Sequence, residues 1–114
     1  MPSNLFDIGA NLTHESFNKD LNNVIEKSLT NGIKNICVTG CDLEDSRKAI
    51  EIAELFPKNL ITTCGIHPHY ADSFDENSSS EVLCLCKNSV VKAIGESGLD
   101  FNRNFSIVEN QFQS

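Results

Sequence analysis

The chain has no apolar run long enough to cross a membrane, because its longest apolar runs extend over only a few residues. Its first residues, Met-Pro-Ser-Asn-Leu-Phe-Asp, also lack the basic segment and the apolar stretch of a signal peptide. We therefore expect no membrane association and a cytoplasmic location. A length of 114 residues, with 39% hydrophobic and 22% charged side chains, is typical of one globular domain with a single core.

Basic residues are scarce as well, since nine Lys and Arg against sixteen Asp and Glu give a formal net charge of −7. An acidic surface repels nucleic acid, so this balance weighs against a protein that coats DNA independently of its sequence. It does not exclude a metal-dependent phosphodiesterase, because a divalent cation in a carboxylate-lined pocket reverses the local charge.

The sequence also lacks the cysteine spacing of a zinc site. The sequence has five cysteines, an odd number, and their spacings do not form the two-by-two arrangement of a zinc knuckle. Four of the five lie in or beside apolar segments, which favours reduced residues in the core over disulfides or a cysteine metal site. These cysteines are Cys37, Cys41, Cys64, Cys84 and Cys86.

The apolar pattern predicts four strands that alternate with helices. The predicted strands cover residues 5–8 with an extension to 12, 33–38, 60–66 and 90–94. Polar residues that can cap a helix follow each of them, namely Asn18, Asp42, Ser78 and Ser106, and the last two have Glu three positions on. Strands and helices in this order, with short connections, predict an α/β fold with a parallel sheet of right-handed crossover units.

Polar side chains follow each predicted strand. In parallel α/β folds, ligands and catalytic groups gather where the strands end, so we expect these residues to lie along one edge of the sheet. They are Asn11 from the first strand, which also contains Asp7, Thr39 to Asp42 after the second strand, His67 and His69 after the third, and Glu96 and Asp100 after the fourth.

Two of these positions have alternative interpretations. Glu96 appears directly after Gly95 ends an apolar run, and it is either a solvated loop carboxylate or a metal ligand or acid/base group. His67 and His69 flank Pro68, and they are either two solvated imidazoles on a turn or members of a site. The spacing of the residues leaves both questions open.

Four motifs together resemble the TatD family of metal-dependent deoxyribonucleases. They are Phe-Asp-Ile-Gly-Ala-Asn-Leu-Thr at 6–13, Val-Thr-Gly at 38–40, Gly-Ile-His-Pro-His at 65–69 and Gly-Glu-Ser-Gly-Leu-Asp-Phe at 95–101. The family fold is an eight-stranded TIM-type (β/α)8 barrel of about 250 residues. The resemblance therefore implies a partial barrel of about four β/α units, in which residues 1–114 form the N-terminal half and end soon after the start of the fourth helix.

The resemblance also implies roles for individual residues. In the family the glutamate of the fourth-strand motif is a metal ligand, which points to Glu96, and the match of Gly-x-His-Pro favours a catalytic role for His67 near the scissile phosphate. Most members carry His-x-His in the first strand, where this chain has Gly9 and Asn11. Fewer metal ligands are therefore expected from that strand, and Asn11 is expected to orient a water or a phosphate. Two further histidines and an aspartate of the family site come from later strands.

The function that the resemblance implies is exonucleolytic hydrolysis of phosphodiester bonds in DNA, assisted by a divalent metal ion, with Mg²⁺ expected. For this chain we expect a truncated nuclease with weak or no activity of its own. The alternative is a non-catalytic binding or dimerisation module that self-associates or recruits a partner through open barrel edges. A related metal hydrolase that acts on a small ester or amide is a third candidate.

Overall fold

The computed structural model describes residues 4–114, in which four parallel strands form one sheet. The strands are β1 (Leu5–Ala10), β2 (Ile33–Val38), β3 (Leu60–Cys64) and β4 (Val91–Ile94), and they lie side by side in chain order. Each neighbouring pair is parallel. The predicted alternation of strands and helices is therefore confirmed, although β3 and β4 are shorter than expected.

Helices alternate with the strands along the chain. The α-helices are α1 (Leu21–Thr30), α2 (Leu43–Leu55), α3 (Ser78–Leu85) and α4 (Val108–Gln111), and two 3₁₀ helices cover Glu15–Phe17 and Pro68–Ser73. None of the described helices is long and apolar enough to cross a bilayer.

The core lies between the sheet and helices α1 and α2. Side chains alternate across a strand, so residues two apart on β2 and β3 point to the same face and meet the apolar stripes of these helices. The buried cluster consists of Leu12, Ile25, Ile36, Val38, Ala49, Ile50, Ile52, Ala53, Leu60 and Val90.

One of the four predicted helix caps is confirmed at the residue expected. The Asp42 carboxylate accepts a hydrogen bond of 2.7 Å from the Asp45 backbone N–H, as an N-cap of α2 should. The prediction for Asn18 is wrong, because this residue ends the first 3₁₀ helix and α1 begins three positions later, after Asp20.

The predicted caps Ser78 and Ser106 are wrong as well. Ser78 is the first residue of α3 and is buried, and its hydroxyl accepts a hydrogen bond from the Asp75 backbone N–H at 2.9 Å. Ser106 lies two residues before α4, and its hydroxyl donates to the His69 carbonyl at 2.9 Å. The Ser106 hydroxyl oxygen also accepts a hydrogen bond of 3.2 Å from the Asp72 backbone N–H, so it bonds to a distant segment and not to the first turn of α4.

The five cysteines differ in burial. Cys37 and Cys64 lie in strands and are buried, as predicted, whereas Cys84 is exposed on α3, so a core position for it is wrong. Cys41 and Cys86 are partly buried. All five are free thiols, which agrees with the expectation of reduced residues.

Candidate functional site

The four strands end along one edge of the sheet, called the carboxyl edge below, and Glu96 lies there just beyond β4. Its backbone N–H donates to the Gly40 carbonyl at 3.3 Å, beyond the end of β2. Its exposed carboxylate accepts a hydrogen bond from the Cys41 thiol, with 3.5 Å between Sγ and Oε2. Contacts through both the backbone and the side chain therefore hold Glu96 against the end of β2.

Gly65 brings the end of β3 equally close to Glu96. A Cβ atom at position 65 would lie 2.7 Å from the Gly95 carbonyl carbon and oxygen and 2.9 Å from the Glu96 carbonyl oxygen. These are backbone atoms, which cannot move aside as a flexible side chain can. The absence of a side chain at Gly65 is therefore what lets the Glu96 segment pack against β3.

We expect Gly65→Ala to lower the free energy of unfolding by about 1–3 kcal/mol, because the added methyl group must displace the backbone that carries Glu96. Urea denaturation of the two proteins measures the difference. Gly9→Ala is the matched control, since its Cβ would meet Thr39 Cγ2 at an ordinary 3.8 Å. A Gly65→Ala protein as stable as the Gly9→Ala protein would show that the close approach is not needed.

Cys41 beside Glu96 is a protonated thiol at neutral pH. Burial is the main reason, and the negative charge of Asp45 and the hydrogen bond to Glu96 add to it, so that the pKa of the Cys41 thiol rises to about 12. The thiol therefore donates to Glu96.

His67 is held by hydrogen bonds that select one tautomer. Its backbone N–H donates to the Cys41 carbonyl at 2.7 Å, and its ring Nδ1 accepts from the His69 backbone N–H at 3.0 Å. An accepting Nδ1 carries no proton, so the proton of the neutral ring is on Nε2. Burial lowers the pKa of His67, which favours this neutral form with Nε2–H as a donor.

The His69 ring forms a hydrogen bond with Asp100, with 2.6 Å between Nε2 and Oδ2. The same carboxylate accepts hydrogen bonds from the backbone N–H groups of Asn102 and Arg103. The bond from His69, followed by that from Arg103, lowers the pKa of Asp100 to about 2. Asp100 is therefore ionised at neutral pH and fixes the orientation of the His69 ring. The rings of His69 and His67 are arranged edge to face, with 4.2 Å between their centroids.

Gln111 and Ser106 attach the segment after Glu96 to this pair of histidines. The buried Gln111 amide accepts from the Asp100 backbone N–H at 2.7 Å and donates to the carbonyls of Asp100 and Ser106 at 3.0 and 2.9 Å. Ser106 in turn donates to the His69 carbonyl. The sequence pattern gave no role to Gln111, and its position within a short helical segment carries no local signal for one.

We expect the contribution of Asp100 to stability to depend on pH in one direction. Its folded pKa of about 2 lies below the ordinary value near 3.9, so the contribution is complete above about pH 4 and is lost as the pH falls toward 2. The difference in unfolding free energy between the unmodified protein and Asp100→Asn should shrink over this range, as measured by urea denaturation at pH 7, 4 and 2.5. His69→Gln removes the partner and should give the same trend. A difference in unfolding free energy that is equal at all three pH values would contradict the interaction between Asp100 and His69.

Asn11 occupies a different part of the carboxyl edge from the histidines. Its side-chain carbonyl accepts a hydrogen bond from the Thr13 hydroxyl at 3.3 Å, and it lines a recess of about 180 Å³ together with Cys41 and Tyr70. Its predicted catalytic role stays a prediction.

The described residues do not form a complete metal site by themselves. Nowhere in residues 4–114 do three or more His, Cys, Asp or Glu side chains converge in a way that could hold a metal ion. The donor chemistry of Glu96 suits a hard cation such as Mg²⁺, whereas the protonated Cys41 thiol beside it does not. Glu96 as a metal ligand thus stays a prediction that needs ligands besides the described ones.

Comparison with known proteins places the chain in a family. The family model described as "TatD related DNase" matches residues 6–114. The chain belongs to this family. Nucleases of the TatD family generally depend on a divalent metal ion.

Relatives and a solved structure agree with this membership. The chain is 38% identical to the "3'-5' ssDNA/RNA exonuclease TatD" of Salmonella typhimurium, over 94% of its own length and 41% of the relative. It is 41% identical to the protein of the same name from Musicola paradisiaca, over 94% of its length and 40% of the relative. The crystal structure of a TatD family hydrolase from Entamoeba histolytica superposes with a TM-score of 0.88 and 34% identity, covering 99% of this chain and 44% of that one.

The likeness to that TatD structure confirms the predicted fold class, a partial TIM-type barrel with four parallel strands. The chain spans less than half the length of the TatD relatives that it matches.

Proposed function

We propose that this chain supplies the first half of the active site of a metal-dependent 3′-5′ exonuclease, which hydrolyses phosphodiester bonds in single-stranded DNA and RNA. The observation that carries the proposal is the placement of Glu96 and His67 at one carboxyl edge, joined through Cys41, which contacts both. The TatD relatives are named as 3′-5′ exonucleases of single-stranded DNA and RNA, which supports the proposed substrate and polarity.

In this proposal Glu96 is one ligand of a divalent ion, Mg²⁺ by its preference for carboxylate oxygens. When bound, such an ion activates a water and neutralises charge on the phosphate. His67 donates its Nε2–H to a phosphate oxygen, a role that its neutral tautomer can fill without adding a proton to the reaction. Asn11 orients the attacking water.

His69 and Asp100 act through His67. The His69 backbone N–H keeps the proton off His67 Nδ1, and the Asp100 carboxylate holds the His69 ring in place. We propose both as positioning residues, because the His69 ring bonds to the Asp100 carboxylate while the His69 backbone N–H bonds to the ring of His67.

We further propose that residues 1–114 alone form one domain with weak or no activity. The chain spans under half of its TatD relatives, and its described residues hold no complete metal site. The alternative, a non-catalytic binding or dimerisation module, is favoured by the exposed apolar side chains of the two outer strands, such as Ile8 and Ile94. A cytoplasmic location stays a prediction from the sequence, which fractionation of cells that produce the protein would test.

A fusion tests the proposed function. The chain is joined to the part of the Salmonella typhimurium exonuclease that follows the region it matches, and nucleotide release from an end-labelled single-stranded oligonucleotide is measured with and without Mg²⁺. The exonuclease itself is the positive control. We expect hydrolysis that needs both the second half and the metal ion. A folded fusion that releases no nucleotide, beside an active control, would favour the binding module.

A further inference from the structure

A recess of about 180 Å³ opens at the carboxyl edge next to the residues proposed for catalysis. Three residues line it beyond β1, namely Asn11, Thr13 and His14. Asp42 and Asp45 line it at the start of α2, and Tyr70 lines it beyond β3. Cys41 is also part of the wall, and it contacts Glu96 through its thiol and His67 through its carbonyl. Cys41 therefore lies between the recess and the proposed reaction centre.

Tyr70 gives this recess an aromatic face. Tyr70 is 48% exposed, although its backbone N–H is fixed by a 2.8 Å hydrogen bond to the His67 carbonyl. The centroid of its ring lies 6.4 Å from that of the His67 ring. An exposed aromatic ring on a fixed backbone is the usual platform on which proteins stack the bases of single strands. Asn11 adds amide N–H donors, since its carbonyl is the atom that accepts from Thr13.

Two carboxylates in the wall disfavour a phosphate in the recess, while His14 also lines it and the Lys48 ammonium donates to the Thr13 carbonyl beside it. Asp42 accepts a hydrogen bond from the Asp45 backbone N–H, and Asp45 accepts one of 3.0 Å from the Cys41 backbone N–H. Both carboxylates are therefore fixed in the wall, where they repel an anion but can accept hydrogen bonds from a hydroxyl or an amino group. An aromatic face, amide donors and fixed carboxylates together suit the uncharged part of a nucleotide.

We propose that this recess binds the terminal nucleoside of a single-stranded nucleic acid, with the base stacked on Tyr70 and the 3′-hydroxyl facing Asp42 and Asp45. The proposal rests on the proposed nuclease function and deepens it. It places the terminal nucleoside on one side of Cys41 and the phosphate to be cleaved on the other, beside Glu96 and His67. A strand end that carries a 3′-phosphate is disfavoured by the two carboxylates.

Tyr70 itself reports on binding, because it is the only tyrosine and the chain has no tryptophan. The probes are two short oligothymidylates without a metal ion, one with a 3′-hydroxyl and one with a 3′-phosphate. N-acetyltyrosinamide corrects for absorption by the probe. We expect saturable quenching of Tyr70 fluorescence by the first probe and at least roughly tenfold weaker binding of the second. No saturable quenching by either probe, or equal binding of both, would overturn the proposal.

Variants separate stacking from charge, with affinity measured by calorimetry. Tyr70→Phe keeps the ring and should bind the hydroxyl-ended probe as the unmodified chain does, while Tyr70→Ala should lose roughly tenfold in affinity. Asp42→Asn keeps a side chain that caps α2 and should reduce the discrimination against the 3′-phosphate. Circular dichroism checks that each variant is folded. Equal affinity of the Phe and Ala variants would overturn stacking on Tyr70.

This test and the fusion experiment can fail separately. Hydrolysis by the fusion without quenching of Tyr70 would overturn the nucleoside recess and leave the nuclease proposal standing. Quenching that obeys the variant pattern, with an inactive fusion beside an active control, would support the recess and overturn the nuclease.

Discussion

Glu96→Gln is expected to lower Mg²⁺-dependent hydrolysis by the fused barrel roughly 100-fold or more, because it removes the anionic ligand while keeping the shape of the side chain. The amide of glutamine offers one neutral oxygen to a cation that prefers carboxylates. The fold should be little affected, since Glu96 is exposed and its backbone hydrogen bond to Gly40 remains.

Initial rates at increasing Mg²⁺ concentration measure the effect on the fusion. Glu51→Gln is the matched control, because Glu51 is an exposed carboxylate on α2, outside the carboxyl edge, and its replacement should leave the rate unchanged. An unchanged rate for Glu96→Gln at saturating Mg²⁺ would rule out Glu96 as a functional ligand. A rate that recovers at high Mg²⁺ would instead show that the loss of the Glu96 carboxylate weakens only the binding of Mg²⁺.

The sequence predicts the sheet and the edge on which the site lies. Apolar runs bounded by Gly, Pro and polar residues gave β2 with the bounds that the structure has, 33–38, and located β3 and β4 to within two residues at either end. Knowing where parallel strands end is sufficient to place Glu96 and His67 on a common edge. Both steps depend on local patterns, which a single sequence carries.

Contacts between distant segments could not be predicted in the same way. Ser106 and Glu109 have the spacing of a capping box, yet the Ser106 hydroxyl donates to His69, and α4 starts after Ile107. Gln111 binds the backbone of Asp100, and nothing in its neighbours along the chain indicates this. The strand order fixes only the edge, so these pairings depend on how the loops fold back over it.

The same limit applies to Tyr70 and Asn11. The sequence assigned no function to Tyr70 and a catalytic one to Asn11, whereas the structure places both at one recess. Each residue follows a different strand, and a prediction of strand ends does not say which loop residues face each other. The recess could therefore not be predicted from the sequence alone.

The chain of 114 residues on its own is expected to self-associate and to hydrolyse DNA poorly or not at all. Among the described residues β1 pairs with β2 alone and β4 with β3 alone, so each outer strand has unpaired backbone groups on one side. Ile8 on β1 is 81% exposed and Ile94 on β4 is 64% exposed, which is unusual for apolar residues of a barrel sheet.

The energy of this exposure favours association. At about 25 cal/mol per Å², a few hundred Å² of apolar surface left in water costs several kcal/mol, which is comparable to the total stability of a small domain. Pairing of two outer strands from different molecules buries this surface and satisfies the backbone groups, either in a dimer of half barrels or in larger aggregates.

Light scattering of the purified chain, combined with a nuclease assay in Mg²⁺, tests both parts of this expectation. Ile8→Lys places a charge on the outer strand and should lower the mean mass, because a lysine on an edge strand opposes pairing with a second chain. Leu55→Lys is the matched control, since Leu55 is an exposed apolar residue on α2, away from the outer strands, and its replacement should leave the mass unchanged. A monodisperse monomer that degrades DNA with Mg²⁺ and loses this activity with Glu96→Gln would contradict the prediction, because four β/α units would then be sufficient for both folding and catalysis.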